Sequence, residues 1–377
     1  MAKTICYISV NEIWSGSEVL WSQSARQMLA AGSPIYIFTT YSHRETDSLV
    51  LAGAKRFQPP GKTTLLKRTL NYAYRRLTGN TNTNDAFSSW LIASKPDLVV
   101  ISQGNNVSGR EMMNKCFECK IPYLTITQLV TEFSWLFIND QVIKHLNVLY
   151  RNALGNYFVS KNNLHLNNLM LSEPLQNSEV VFNPYNAVLH YKNAYPQTLK
   201  YQVAIVGRLE CMHKGLDLLL QVLCEENWRT RDIFFTFYGS GPHDEWISDF
   251  ISRHQLQNVA IAGHVDNIAQ IWQTNHILLM PSRMEGQSLA LVEAMYCQRC
   301  AIVTNVGGAA EIIENGVTGF IAANPSVKDL NEAMEKAWEF REDWKNMGEA
   351  AGLAIRNKYP ADPVKFFNEK LLSHLQS

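Results

Sequence analysis

Short apolar runs alternate with amphipathic stretches along most of the chain. In the N-terminal half the runs at residues 4–10, 35–39, 98–102, 123–127, 157–160 and 179–182 read as strands separated by helical patterns. A second series follows at 201–206, 233–238, 259–262, 277–280, 301–304 and 319–322. Strands alternating with helices predict parallel sheets covered on both faces. Residues 187–200 carry no clear pattern and are expected to link the two series. This divides the chain into domains at 1–190 and 200–357, both α/β and Rossmann-like, and the last helical pattern, about 360–377, is expected to pack back on the first.

One stretch departs from plain amphipathic patterning. After the apolar run at 276–280 come Pro281, Ser282, Arg283, Met284, Glu285, Gly286, Gln287 and Ser288, and then a helix apolar at every position from Leu289 to Met295 except Glu293. A helix apolar all round is a buried one. Glu293 is therefore a carboxylate in a place that resists charge, and it needs hydrogen-bond donors. Glu285 lies in the turn before that helix, where unpaired backbone N–H groups collect.

Composition narrows the function classes. The chain has 377 residues, 46% of them hydrophobic and 18% charged, with zero formal net charge. That is a globular protein long enough for two cores, with no global electrostatic case for nucleic acid. No apolar run approaches the roughly 20 residues of a transmembrane helix, and the first strand is too short for a signal-peptide core. A cytoplasmic enzyme is expected. Seven cysteines include the pairs Cys116/Cys119 and Cys297/Cys300. Their distance apart and apolar neighbours favour buried thiols over zinc. Residues 62–77 form a basic amphipathic pattern, with Lys67, Arg68, Arg75 and Arg76 off the face of Leu66, Leu70, Ala73 and Leu77. Such a helix is able to lie peripherally on the inner membrane face, or else packs its narrow stripe on its own domain.

The candidate chemistry gathers at strand-to-helix loops of the second series. Gly207-Arg208-Leu209 leaves its first strand, and His213-Lys214-Gly215 precedes a helix opening at Leu216. Two cations on one such loop form a receptor for a diphosphate. Turns containing Gly239, Gly241, Gly263, Gly307 and Gly308 follow other strands of the same series, and glycine there lets backbone approach a ligand closely.

These residues resemble the donor-binding half of the retaining glycosyltransferases of family 4, which have the two-domain GT-B fold. The resemblance rests on Gly207-Arg208-Leu209 with Lys214-Gly215, on Tyr238-Gly239-Ser240-Gly241-Pro242, and on Pro281-Ser282-Arg283 with Glu285-Gly286. Glu293-Ala294-Met295 and Gly307-Gly308 with Glu311 complete it, over about residues 201–322. It implies metal-independent transfer of a hexosyl unit, with retention, from a nucleotide diphosphate sugar such as a UDP- or GDP-hexose. The acceptor would be a saccharide or a glycolipid, and no separate cofactor takes part. By the same resemblance Arg208 and Lys214 hold the diphosphate, Glu293 binds the ribose diol, and Glu285 binds hydroxyls of the transferred sugar. Gly239 and the backbone of Gly286, Gln287, Ser288 and Leu289 complete the donor contacts, and His264 and Val265 line the base pocket. On the acceptor side Gly16-Ser17-Glu18 resembles the family's Gly-rich loop, with Ser15, Gly16 and Ser17 as its candidate contacts. Gln128 stands where many members have histidine, and an amide cannot take a proton at neutral pH. That leaves open two other readings, a sugar-nucleotide-binding subunit with impaired catalysis and a sugar-nucleotide epimerase of the same fold. Trp14, Trp21, Phe133 and Trp135 could stack on a saccharide, although core packing is the commoner fate of such residues.

Overall fold

A computed structural model describes residues 2–12, 14–57, 86–185 and 194–376. The basic stretch 62–77 and the first half of the expected linker, 187–193, lie outside the described residues. The chain divides into two compact units. One comprises Met1–Val159, Leu164–Val181 and Val364–Ser377, and the other Ser160–Asn163 and Phe182–Pro363.

Among the described residues the first unit holds a seven-stranded sheet. Its strands are β1 (Ile5–Ser9), β2 (Ile35–Phe38), β3 (Lys55–Arg56), β4 (Leu98–Gln103), β5 (Tyr123–Thr127), β6 (Gly155–Phe158) and β7 (Ser178–Val180). They lie in the order β3-β2-β1-β4-β5-β6-β7, and every pairing is parallel. The second unit holds β8 (Tyr201–Val206), β9 (Ile233–Tyr238), β10 (Val259–Gly263), β11 (Ile277–Met280), β12 (Cys300–Thr304) and β13 (Gly319–Ala322). Their order is β10-β9-β8-β11-β12-β13, again parallel throughout. Both are doubly wound sheets, as the alternation predicts. The sequence pattern did not reveal β3. A two-residue charged strand at a sheet edge has no alternation to read, and charge there protects the edge from further pairing.

Strand periodicity sorts the cores. In β8 and β11, Val203, Ile205, Ile277 and Leu279 face one apolar cluster with Leu219 and Trp228. Their neighbours Ala204, Leu278 and Met280 face another with Val292, Met295 and Trp272. Side chains of successive strand residues point to opposite faces, so a strand buried on both sides is apolar at every position. The helix Pro363–Gln376 belongs to the first unit, where Asn368 accepts from Ser24 Oγ at 2.5 Å and donates to Gln27 at 2.8 Å.

In each sheet the first strand is flanked by strands reached in opposite winding directions, β2 and β4 about β1, β9 and β11 about β8. The crevice beyond the carboxyl ends of such strands is where open α/β sheets bind ligands. The glycine-rich loops of the second unit leave its strands at that edge.

Candidate active site in the second domain

The chain leaves β8 through Gly207, Arg208 and Leu209, whose backbone is tied to the next loop by Gly207 N–H to Tyr238 (3.0 Å) and Leu209 N–H to Ser240 (3.1 Å). Arg208 is exposed and pairs with no carboxylate among the described residues. Glu210 then caps a short helix, Cys211–Lys214, by accepting from the amides of Met212 (2.7 Å) and His213 (2.9 Å). Burial works against the Glu210 charge, but those amides and the His213 ring hold its carboxyl below the usual range. Lys214 thus ends one short helix, and the helix Leu216–Leu223 starts after Gly215, which takes a left-handed conformation.

Lys214 Nζ donates to Glu285 Oε1 at 2.5 Å, and Ser282 Oγ donates to the same oxygen at 2.8 Å. The Glu285 side chain is only 10% exposed and that of Lys214 27%, so the pair is shielded on the carboxylate side. Gly207, Arg208, Lys214, Pro281 and Ser282 line a small cavity at this point. The sequence-predicted residues Arg208, Lys214 and Glu285 therefore meet at the switch point between β8 and β11.

Beyond Glu285 the loop is held from beneath. Gly286 carbonyl accepts from Gly308 N–H at 2.7 Å, and the Ser282 carbonyl accepts from Thr304 Oγ1. Gln287 and Ser288 are buried, and Ser288 precedes the helix Leu289–Tyr296 without capping it through its side chain. The first N–H groups of that helix, from Leu289 onward, have no intrahelical carbonyl to bond, as at any helix start. Glu293 is 5% exposed on this helix, as its apolar surroundings predict, and it is engaged within the chain as well.

The structure changes the reading of the glycines. A Cβ on Gly215 would lie 2.0 Å from the Pro281 carbonyl oxygen, and one on Gly239 would lie 1.9 Å from that of Gly207. At these two glycines the close approach is between neighbouring loops. Gly239 supports the loop of Arg208 from behind. The turn after β10 differs, because Gly263 (φ +75°) faces open space. His264 there is 72% exposed, 3.4 Å from Asp266, while Val265 is half-buried against the core of the second unit.

In the first unit Ser15 and Gly16 are exposed, and Ser15 and Ser17 share a hydrogen bond of 2.7 Å. Gln128 is buried beyond the end of β5, its N–H donating to Gln103 at 3.1 Å. Trp14 stacks on His43, with centroids 4.4 Å apart, Trp21 is fully buried, and Phe133 is half exposed.

Sequence reasoning included in the acceptor-side motif, but gave no role to, the residue that organises this loop. Glu18, fully buried, accepts from Asn11 Nδ2 (2.5 Å), Ser17 Oγ (3.3 Å), Trp21 Nε1 (2.8 Å) and the Tyr41 hydroxyl. Burial, and then Glu18 itself, push the Tyr41 phenol up, so it stays a donor. The available signal was a carboxylate entering an apolar helix with tryptophan three residues on, the same kind of misplaced charge that drew attention to Glu293.

Residues 192–353 match the family described as "Glycosyl transferases group 1". An uncharacterized glycosyltransferase of Methanocaldococcus jannaschii is 28% identical over 184 residues, covering 48% of this chain and 49% of that one. One subunit of human phosphatidylinositol N-acetylglucosaminyltransferase is 32% identical over 138 residues, covering 36% of this chain and 28% of its own. This chain spans less than half the length of each of these relatives. Among solved structures, Anabaena HepE in complex with UDP superposes with a TM-score of 0.75 over 99% of both chains at 14% identity. The same protein has also been solved with UDP-glucose. The fold is GT-B, and the stretch similar to the group 1 glycosyl transferases lies within the second unit.

Proposed function

We propose that the protein is a retaining glycosyltransferase that moves a hexosyl unit from a nucleotide diphosphate sugar to a saccharide or glycolipid acceptor without a metal ion. The observation that carries this reading is the cationic pair at the β8/β11 switch point: among the described residues Arg208 pairs with no carboxylate and Lys214 with Glu285 alone. A diphosphate entering there competes for Lys214 and finds Arg208 free, so charge on the leaving group is offset by groups already in place. Arg208, Lys214 and the amides from Leu289 onward supply the positive field that a divalent ion gives in other transferases. Likeness to UDP-bound and UDP-glucose-bound HepE supports uridine as the nucleoside, with a GDP-sugar as the competing donor.

In the proposed step the bond between the anomeric carbon and the phosphate oxygen breaks through an oxocarbenium-like state. The acceptor oxygen bonds the same face of that carbon, and its proton passes to the departing phosphate oxygen. No protein base is then required, which accommodates Gln128. Lys214 and Arg208 stabilise the departing diphosphate. Glu285, released from Lys214, binds hydroxyls of the transferred sugar and its developing charge, and Glu293 accepts from the ribose diol. His264 and Val265 border the base. Ser15, Gly16 and Ser17 belong to the acceptor side. Peripheral membrane contact through residues 62–77 is part of the proposal, and no helix among the described residues is long and apolar enough to cross a membrane.

The test is calorimetric titration with UDP and GDP, followed by NMR of the product formed from UDP-glucose or GDP-mannose in the presence of EDTA. Binding of one nucleotide and an α-configured product with chelator present is the expected outcome. Inverted configuration, or activity abolished by EDTA and restored by Mg²⁺, sinks the mechanism. Tight binding without transfer or hydrolysis favours the second reading, a donor-binding subunit, which the likeness to one subunit of a larger enzyme keeps in view.

A further inference from the structure

Lys214 and Glu285 belong to loops separated by 71 residues, yet their charged atoms lie 2.5 Å apart. What sets that distance is a second pair in the same two loops. The Arg283 guanidinium grips Asp217 with both ends, Nη1 to Oδ1 at 2.6 Å and Nη2 to Oδ2 at 2.7 Å. Its Nη1 also donates to the carbonyl of Cys211 at 2.8 Å. Along the backbone, Arg283 N–H (2.7 Å) and Met284 N–H (3.1 Å) both donate to the carbonyl of His213. Asp217 follows Lys214 by three residues, in the first turn of the next helix, and Arg283 precedes Glu285 by two. The short helix carrying Lys214 is therefore held from both sides by the loop carrying Glu285. Gly215 allows the loops to come this close, since any Cβ there would meet the Pro281 carbonyl.

We propose that Arg283 and Asp217 form a positioning latch that aims Lys214 at the diphosphate and fixes its distance from Glu285. The inference rests on the nucleotide-diphosphate reading of the site. Charge states agree with the geometry. Hydrogen bonding to Asp217 raises the Arg283 guanidinium further, and Arg283 overcomes the burial that would otherwise raise the Asp217 carboxyl. The pair is close to one-third exposed on both sides, so it adds little to global stability. An Arg–carboxylate fork does fix direction and distance, as two parallel hydrogen bonds allow no rotation. Its effect is thus expected in the affinity of the site and not in the melting temperature.

A double-mutant cycle read by calorimetry with UDP and GDP separates this role from a structural one. Arg283→Ala should weaken binding of the accepted nucleotide about tenfold while shifting the melting temperature little. In a Lys214→Ala background the same change should cost less than about twofold, because the group it aims is gone. Asp217→Asn should reproduce the Arg283→Ala loss, and Arg283→Lys, which keeps charge but loses the fork, should not restore affinity. Equal losses in both backgrounds, or no loss from Arg283→Ala, overturn the latch. If Arg283→Ala does not fold, the Asp217→Asn and Arg283→Lys cycles decide the same question. A wild-type protein that binds neither nucleotide overturns the functional reading together with the latch, whereas additive losses in a nucleotide-binding protein overturn the latch alone.

Discussion

The loops that follow β1 and β8 occupy the same topological place in two sheets of the same winding, and they use charge in opposite ways. After β1 the charged group is Glu18, fully buried and accepting from four donors of its own chain. After β8 it is Arg208, exposed and unpaired among the described residues, with Lys214 held by a single carboxylate. A buried carboxylate is costly to leave unsatisfied, whereas an exposed guanidinium is met by water. The chain resolves that cost internally in one domain and keeps cations available to a ligand in the other. A switch point is a place for a site. Hydrogen-bond accounting tells whether the charge there holds the loop or waits for a substrate.

The largest expected effect follows from the uncommitted cation. Arg208→Ala should lower transfer or hydrolysis of the nucleotide sugar by about 10²- to 10³-fold, near 3 kcal/mol of transition-state stabilisation. Its melting temperature should stay close to wild type, because no internal partner loses a bond. An inactive protein that is also strongly destabilised would place Arg208 in the scaffold and erase the contrast. The counterpart in the first domain is Glu18→Ala, which strands the buried Trp21 donor and the half-buried Asn11 donor and should cost about 2–3 kcal/mol of stability. Denaturant unfolding measures that loss, and calorimetry should find nucleotide affinity of the surviving folded protein unchanged. A normal stability with weakened nucleotide binding would reverse the roles assigned to the two loops.

The contrast also marks how far the sequence could be read. Apolar runs exposed both parallel sheets, because a strand covered on two faces must be apolar throughout, as β11 is. They exposed Glu293 too, since a lone carboxylate in an apolar helix is a local anomaly. Arg208, Lys214 and Glu285 were visible as charged groups on glycine-bearing loops. The same pattern could not show what holds them. The Arg283–Asp217 fork joins residues 66 positions apart, and the Tyr41–Glu18 bond spans 23, with nothing periodic between them. Local sequence shows where backbone comes close to something, and the fold adds that Gly215 and Gly239 meet other loops.

A smaller effect distinguishes the interiors by pH. His276, at the start of β11, accepts from the Gln202 N–H at 2.9 Å, and burial followed by the nearby Arg299 guanidinium lowers its pKa from 6.5 to about 4. Arg299 itself is buried and donates to the carbonyls of Asn275 (2.8 Å), Cys297 (2.8 Å) and Ala194 (2.9 Å), so a second positive charge beside it is disfavoured. Between these two pH values the unfolded chain binds the proton that folded His276 refuses, so the unfolded state holds more protons and stability rises with pH. The contribution is complete above pH 6.5 and is lost as pH falls toward 4. Urea midpoints across that interval should fall in the wild type and fall less steeply in His276→Asn. An unchanged slope would show that His276 takes up its proton in the folded domain as readily as in the unfolded chain.

The smallest effect tests whether Glu18 is a shared acceptor or one half of a simple pair. Tyr41 reaches it from the loop after β2, and that loop has two further ties to the loop after β1. Thr40 Oγ1 donates to the Asn11 carbonyl at 2.8 Å, and His43 stacks on Trp14. Tyr41→Phe removes one hydrogen bond and leaves Glu18 with Asn11, Ser17 and Trp21 as donors. The expected cost is therefore about 1 kcal/mol, well below that of Glu18→Ala. Because Tyr41 remains protonated well above neutral pH, the difference should hold across the neutral and mildly alkaline range. If Tyr41→Phe instead costs as much as Glu18→Ala, the other three donors contribute nothing. The Tyr41 hydroxyl is then the donor that holds the buried Glu18 carboxylate, beside the Thr40 and His43 ties between the two loops.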